Sequence, residues 1–457
     1  GTWLGALLQH LPCNRSIESF RVYLEPTFVG DQVRKYDYRL EWDIFHILTP
    51  FIEHNSNLCH IELLYGSSSM LSSLALALSN CKNKRLECIT LHHIETGSDF
   101  GQLFASLAEY NNLLEIRVGN SRIGKLGCME FSKLLRKPSS KINSLELGNN
   151  ELNDECMGIL SIGLMRSKNL RKVFFRRNPE VTSIGWGALS AILFHPSCTI
   201  EKLWFTEANL DDEGVTYLGE ALAVNKSVQY LGLYDNPSIT NDGWREFLKC
   251  MRNPNSSLEE LDLCSCRIDD DGVAMIMNAL EENVSIKRLS LQSNHITSRG
   301  LITIFNSLLN CEISVESMIL VDNSINFEEL TEEDWRVLSR ALCDKSSISS
   351  ICSSNHKLFL LVLHKRTPKN WLDEVWSGIK SLLSMNENPN KAEVARQKFL
   401  EYHSSDEHAG VSVFEGMPDT VLPNALEWVG RSRDIRTFSI MFNVVQGFPT
   451  LFENNRS

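Results

Sequence analysis

Long apolar runs are missing from these 457 residues. The longest, such as Phe359 to Leu363, falls far short of the ~20 apolar residues a bilayer-crossing helix needs, and no charged stretch leading into an apolar one opens the chain. No membrane partner is expected. Positive charge is also in deficit: 45 Lys and Arg stand against 57 Asp and Glu, a net charge of −12. Phosphate binding draws its affinity from clustered cations, so no nucleic-acid partner is expected either. The 13 cysteines form no C-x-x-C pair; scattered and odd in number, they read as reduced, buried thiols in a cytoplasmic or nuclear setting. With 43% hydrophobic and 22% charged residues, the composition excludes collagen, coiled coil and wholesale disorder. The chain starts at Gly1 without an initiator methionine, and an upstream segment is expected to precede it.

Catalytic signatures are missing as well. Gly119 to Leu126 reads G-x-x-x-x-G-K-L, and Leu126 stands where a phosphate-binding loop needs a magnesium-coordinating hydroxyl. His92 and His93, followed by Glu95, sit on a strand pattern whose neighbouring side chains point to opposite faces, so they do not converge on a metal. Cys264 and Cys266 share a strand face, and Cys266 reads as a small buried residue. The acids at Asp211 to Glu213 and Asp269 to Asp271 precede helical patterns and suit helix N-termini rather than acid–base catalysis. Asn225, Asn255 and Asn283 are formal glycosylation acceptors that recur at turn positions. An enzyme is not expected, nor a cofactor or metal.

What the sequence does contain is a repeat. Apolar residues at positions 1, 4 and 6 open twelve candidate units, starting at Ile17, Leu58, Leu86, Leu113, Ile142, Leu170, Ile200, Val228, Leu258, Ile286, Val315 and Ile348. From Leu58 to Val315 the starts are 27 to 30 residues apart, the long class of leucine-rich repeat. In one unit Ile286, Leu289 and Leu291 lead to Asn294 and Ile296, then Gly300, then Ile304 and Leu308. The first three make a short strand with an inward face. The asparagine, repeated at Asn150, Asn178, Asn236 and Asn323 and replaced by Ala208 and Cys266, satisfies backbone groups where the chain leaves the strand. The glycine, as in Gly185, Gly214, Gly243 and Gly272, precedes apolar residues four and eight positions on, a helical stripe facing the strands.

A second period overlies the first. Asn178-Pro179 and Gly185-Trp186 return 58 residues later as Asn236-Pro237 and Gly243-Trp244, and Asp211 to Gly214 returns as Asp269 to Gly272. This alternation of two repeat types resembles the ribonuclease inhibitor family over roughly residues 1–358, about three quarters of the chain. The wording His195-Pro196-Ser197-Cys198 and Ser353-Ser354-Asn355-His356 is also similar to a large group of such proteins in diatoms and related algae. The expected fold is an α/β leucine-rich-repeat solenoid, a horseshoe with parallel strands concave and helices convex over residues 1–357. An α-helical C-terminal cap over 358–457 follows, with helical patterns at Trp371 to Leu383, Lys391 to His403, Leu422 to Val429 and Arg436 to Val445.

On each strand, positions 3, 5 and 7 point away from the core. Read in register they gather Lys172, Phe174, Arg176, Lys202, Trp204, Tyr230 and Tyr234, with Glu260, Asp262 and Arg288 on one side and Glu115 and Glu146 on the other. Aromatics beside arginine have the composition of a protein-binding hot spot; the same rings could instead form a cross-strand ladder that only stabilises the sheet. The expected function is a non-enzymatic scaffold binding a protein partner on the strand face. The alternatives are a GTPase-activating regulator of the Ran type, a group that shares this repeat class but typically ends in an acidic tail absent here, and an extracellular recognition receptor.

Overall fold

The computed structural model describes residues 18–23, 28–29, 32–33, 48–95, 100–253, 256–310, 313–346, 348–363 and 372–403. They fall into two compact units divided after Cys266. In the first, the 1-4-6 pattern makes strands because the fourth and sixth side chains share the inward face of a pleated segment. Val173, Phe175, Leu203, Phe205, Leu231 and Leu233 are all buried. The strands are β1 (Ser19–Tyr23), β2 (His60–Ser67), β3 (Cys88–Glu95), β4 (Glu115–Gly119), β5 (Ser144–Gly148), β6 (Lys172–Arg176), β7 (Lys202–Thr206), β8 (Tyr230–Gly232) and β9 (Glu260–Asp262). Each pairs in parallel with the next in chain order.

Parallel neighbours need a crossover, and here helices supply it: α1 (Ser68–Asn80), α2 (Phe100–Leu107), α3 (Gly124–Arg136), α4 (Asp154–Arg166), α5 (Ser183–Leu193), α6 (Asp212–Leu222) and α7 (Asn241–Phe247). The would-be phosphate loop is the turn from β4 into α3. The second unit holds α8 (Asp270–Glu281), β10 (Arg288–Ser290), α9 (Ser298–Asn310), β11 (Ser317–Ile319), α10 (Glu332–Leu342), α11 (Ile348–Ser353), β12 (Leu360–Val362), α12 (Leu372–Met385) and α13 (Lys391–His403). Among the described residues no helix is long and apolar enough to cross a membrane.

The asparagine ladder proves to be a stitch between repeats. Asn236 Oδ1 accepts the amides of Ala208 and Leu210 in the preceding unit, and its Nδ2 donates to the Phe205 and Leu233 carbonyls. Asn178 does the same for Asn150 and Leu152. Just before the ladder, position 8 turns left-handed in successive repeats, at Asn149, Arg177, Glu207, Asp235 and Ser265 among others. None of these is glycine, so each carries conformational strain that the ladder and the parallel pairing hold in place.

The 58-residue period also has a mechanical cause. Asp211 and Asp269 cap their own helices through the Gly214 and Gly272 amides. The neighbouring Asp212 reaches forward instead, accepting from the Thr240 amide and hydroxyl at 2.6 and 2.7 Å; Asp154 and Asp270 do likewise with Thr182 and Thr297. A Cβ at Gly243 would collide with the Asp212 carboxylate. The glycine of one repeat is thus required by the aspartate of the repeat before.

Two sequence expectations change. Ile348 begins α11 rather than a strand, and the strand of that repeat is β12, paired in parallel with β11, so the segment expected to be a helical cap from 358 opens with a repeat strand. Its 1-4-6 residues are Leu358, Leu361 and Leu363, all buried. Asn355 marks this start, because its Oδ1 accepts from the Lys357 and Leu358 amides; Asn225 does this before Val228 and Asn283 before Ile286. The latter two are formal glycosylation acceptors, yet both are buried and engaged in these turns, leaving no room for a glycan. The predicted segments at Leu422 to Val429 and Arg436 to Val445, and residues 1–17, lie outside the described residues.

Candidate protein-binding face

The parallel register converts sequence columns into spatial ones. Lys172 pairs with Lys202, Lys202 with Tyr230 and Tyr230 with Glu260; two residues along, Phe174 pairs with Trp204, Trp204 with Gly232 and Gly232 with Asp262. Since these positions alternate with buried ones, they project on the sheet face opposite the helices. The rings do not turn inward.

They do stack. Phe174 and Trp204 lie 3.8 Å apart with 9° between their planes, and the Trp204 and Tyr230 centroids are 4.6 Å apart. Gly232 makes this possible, because a Cβ there would stand 2.9 Å from the indole Cδ1 and 3.2 Å from Tyr230 Cε1. The cross-strand ladder is therefore present, and it leaves all three rings half-buried rather than hidden. Tyr234, in the turn after β8, is 41% exposed. Burial, with Asp262 close by, pushes the Tyr230 phenol up to about 12, so it stays neutral at ordinary pH.

The charges sort themselves into paired and unpaired. Arg176 donates to Glu207 Oε1 at 3.0 Å, and Arg177 binds the other carboxylate oxygen. Partial burial would raise the Glu207 carboxyl, but the hydrogen bonds from Arg177 and Arg176 hold it below the usual carboxylate range. Arg117 pairs with Glu115 at 2.9 Å. Asp262 accepts the Cys264 amide at 3.1 Å, and Glu260 is half-buried beside it. Cys264, at position 7 of its unit, is buried. Lys172 is exposed and Lys202 half-buried. Arg288, exposed on β10, belongs to the second unit; the other nominated residues share the first.

Glu207, Arg177 and Gly232 were not nominated from the sequence. The first two occupy position 8, whose left-handed backbone swings their side chains onto the face, and only a recurrent departure from strand geometry would have shown it. Gly232 offered a better signal, since it is flanked across the sheet by two aromatics.

A parallel sheet grown one repeat at a time, with a helix in each crossover and asparagines stitching successive turns, defines a leucine-rich-repeat solenoid. The family model described as "Leucine Rich repeat" matches residues 255–277 and 282–305. Its repeats are ribonuclease-inhibitor-like: the chain is 25% identical to the ribonuclease inhibitor of Mus musculus over 265 residues, 58% of this chain and 54% of that protein. It is 24% identical to NACHT, LRR and PYD domains-containing protein 14 of Mus musculus over 59% of this chain and 27% of that protein. The chain thus spans about half the length, or less, of these curated relatives. Among solved structures, the TLR13–ssRNA13 complex matches 71% of the chain at 16% identity with a TM-score of 0.38, too low to carry any argument about ligands.

Proposed function

We propose that this protein is a non-enzymatic scaffold that holds a protein partner against the outward face of β6 to β9. The observation that carries this reading is the stacked series Phe174, Trp204 and Tyr230 beside exposed Tyr234, on a sheet face that the described helices leave uncovered. Rigid aromatic surface beside cations is what docking hot spots are made of, and preformed stacking lowers the ordering cost of binding. The relatives point the same way, since a ribonuclease inhibitor is by its name a protein that acts on another protein. A cytoplasmic or nuclear setting and a capping role for the residues that follow β12 belong to the same proposal. Ten cysteines with free thiols support the first. The buried Asn225 and Asn283 amides weigh against a glycosylated receptor.

The test is photocrosslinking. A benzophenone side chain replacing Tyr234 is expected to capture a discrete protein from native extract, whereas the same probe replacing Ile184, 73% exposed in the first turn of α5, does not. Capture from Ile184 alone rejects the strand face as the docking surface.

A further inference from the structure

The proposed docking face carries two cations that the described residues leave unanswered. Lys172 and Lys202 are register partners on adjacent strands, which places their backbones about 4.8 Å apart. Like charges directly opposite each other in a sheet are destabilising. The arginines around them all have a carboxylate partner: Arg171 pairs with Glu201 at 3.0 Å, Arg176 and Arg177 share Glu207, and Arg117 has Glu115. No ion pair or hydrogen bond among the described residues takes in either lysine side chain. Two residues along each strand from this unanswered pair stand Phe174 and Trp204, so the ammoniums and the ring stack form one contiguous patch.

We infer that the occupant of this patch is an acidic segment of a protein, whose carboxylates pair with Lys172 and Lys202 while an apolar or aromatic side chain of the same segment covers Trp204. The inference rests on the reading of this face as a protein-docking surface and adds the chemistry of what docks. Charge complementarity selects the acidic partner: a basic one would leave the lysine pair facing further cations, and Arg176 and Arg177, with one carboxylate between them, add a further positive charge beside it. It also disfavours nucleic acid, whose affinity grows with the number of phosphates neutralised. Among the described residues only two unpaired cations stand in these columns, on a chain of net charge −12.

Fluorescence anisotropy with the full chain tests this. The probes are two labelled peptides of equal length, each with a central tryptophan flanked by glutamates in one and by lysines in the other, and a labelled oligothymidine. At low salt the glutamate peptide is expected to bind about tenfold or more tightly than the other two. Lys172→Glu together with Lys202→Glu is expected to reverse the order of the peptides. Equal affinity for the two peptides, or an order unchanged by charge reversal, overturns the inference; tightest binding of oligothymidine overturns it in favour of a phosphate ligand. The partner captured at position 234 separates this claim from the one beneath it. If its binding falls with Trp204→Ala and Tyr234→Ala but survives the lysine reversal, the face docks a protein by other chemistry. If both variants bind it unchanged, the docking reading falls too.

Discussion

Phe174 and Phe175 are neighbours in the chain, as are Trp204 and Phe205, yet each pair divides between two layers. Phe175 and Phe205 are buried and meet Trp186 edge-on at 5.8 and 5.2 Å. Phe174 and Trp204 stack on the open face at 3.8 Å. The difference is parity alone, because a strand sends consecutive side chains to opposite sides. The same residue type therefore contributes to stability in one layer and is available for recognition in the other, and substitutions should separate the two.

The largest effect is expected in the buried layer. Phe175→Ala should lower the free energy of unfolding by roughly 3–5 kcal/mol, the cost of lost burial plus a cavity, as measured by urea titration. A loss under about 1 kcal/mol would mean that the inward register is misplaced. Asn236→Ala comes next. It leaves buried amides and carbonyls on two repeats without partners, and a loss of about 3 kcal/mol is expected. Hydrogen exchange of the Ala208 and Leu210 amides should accelerate; unchanged exchange would show that the stitch is dispensable.

A smaller and pH-dependent effect is expected in the second unit. Lys398 on α13 is fully buried, donating to the carbonyl of Leu342 at 2.5 Å and contacting His356 Nδ1 at 3.0 Å. Burial, aided by Lys391 and opposed by Cys343, pushes its ammonium down to about 7, against ~10.4 in an unfolded chain. Between those values the unfolded state holds the additional proton, so stability rises with pH over that window; below about 7 both states are protonated and the cost of the buried charge is felt in full. Relative to Lys398→Met, the native chain should gain about 2 kcal/mol between pH 7 and pH 9. Parallel pH profiles for the two chains would show that the amine is not held in this way.

Much of this comparison is legible in the sequence. The 1-4-6 pattern fixed which of two adjacent aromatics is inward, and the 58-residue period announced the alternating helix starts, although the forward reach of Asp154, Asp212 and Asp270 was not visible in it. The face was read short by one column, because position 8 takes a left-handed turn with residues as different as Asn149, Arg177, Glu207 and Ser265, and no common side chain flags it. Spacing and hydrophobicity point to Ile348 for the last repeat, whereas the turn asparagine, Asn355, marks the start at Leu358. Lys398 gave no signal, since a lysine in a helical pattern reads as a solvated face until the elements packed around it are known.

The most direct measurement pairs binding with stability in one variant. Trp204→Ala combined with Tyr234→Ala should abolish capture of the partner while shifting the free energy of unfolding by only about 1 kcal/mol, the worth of a surface ring stack. Capture that persists through both substitutions, in a chain that still folds, would contradict the claim that these outward rings are where the protein meets its partner.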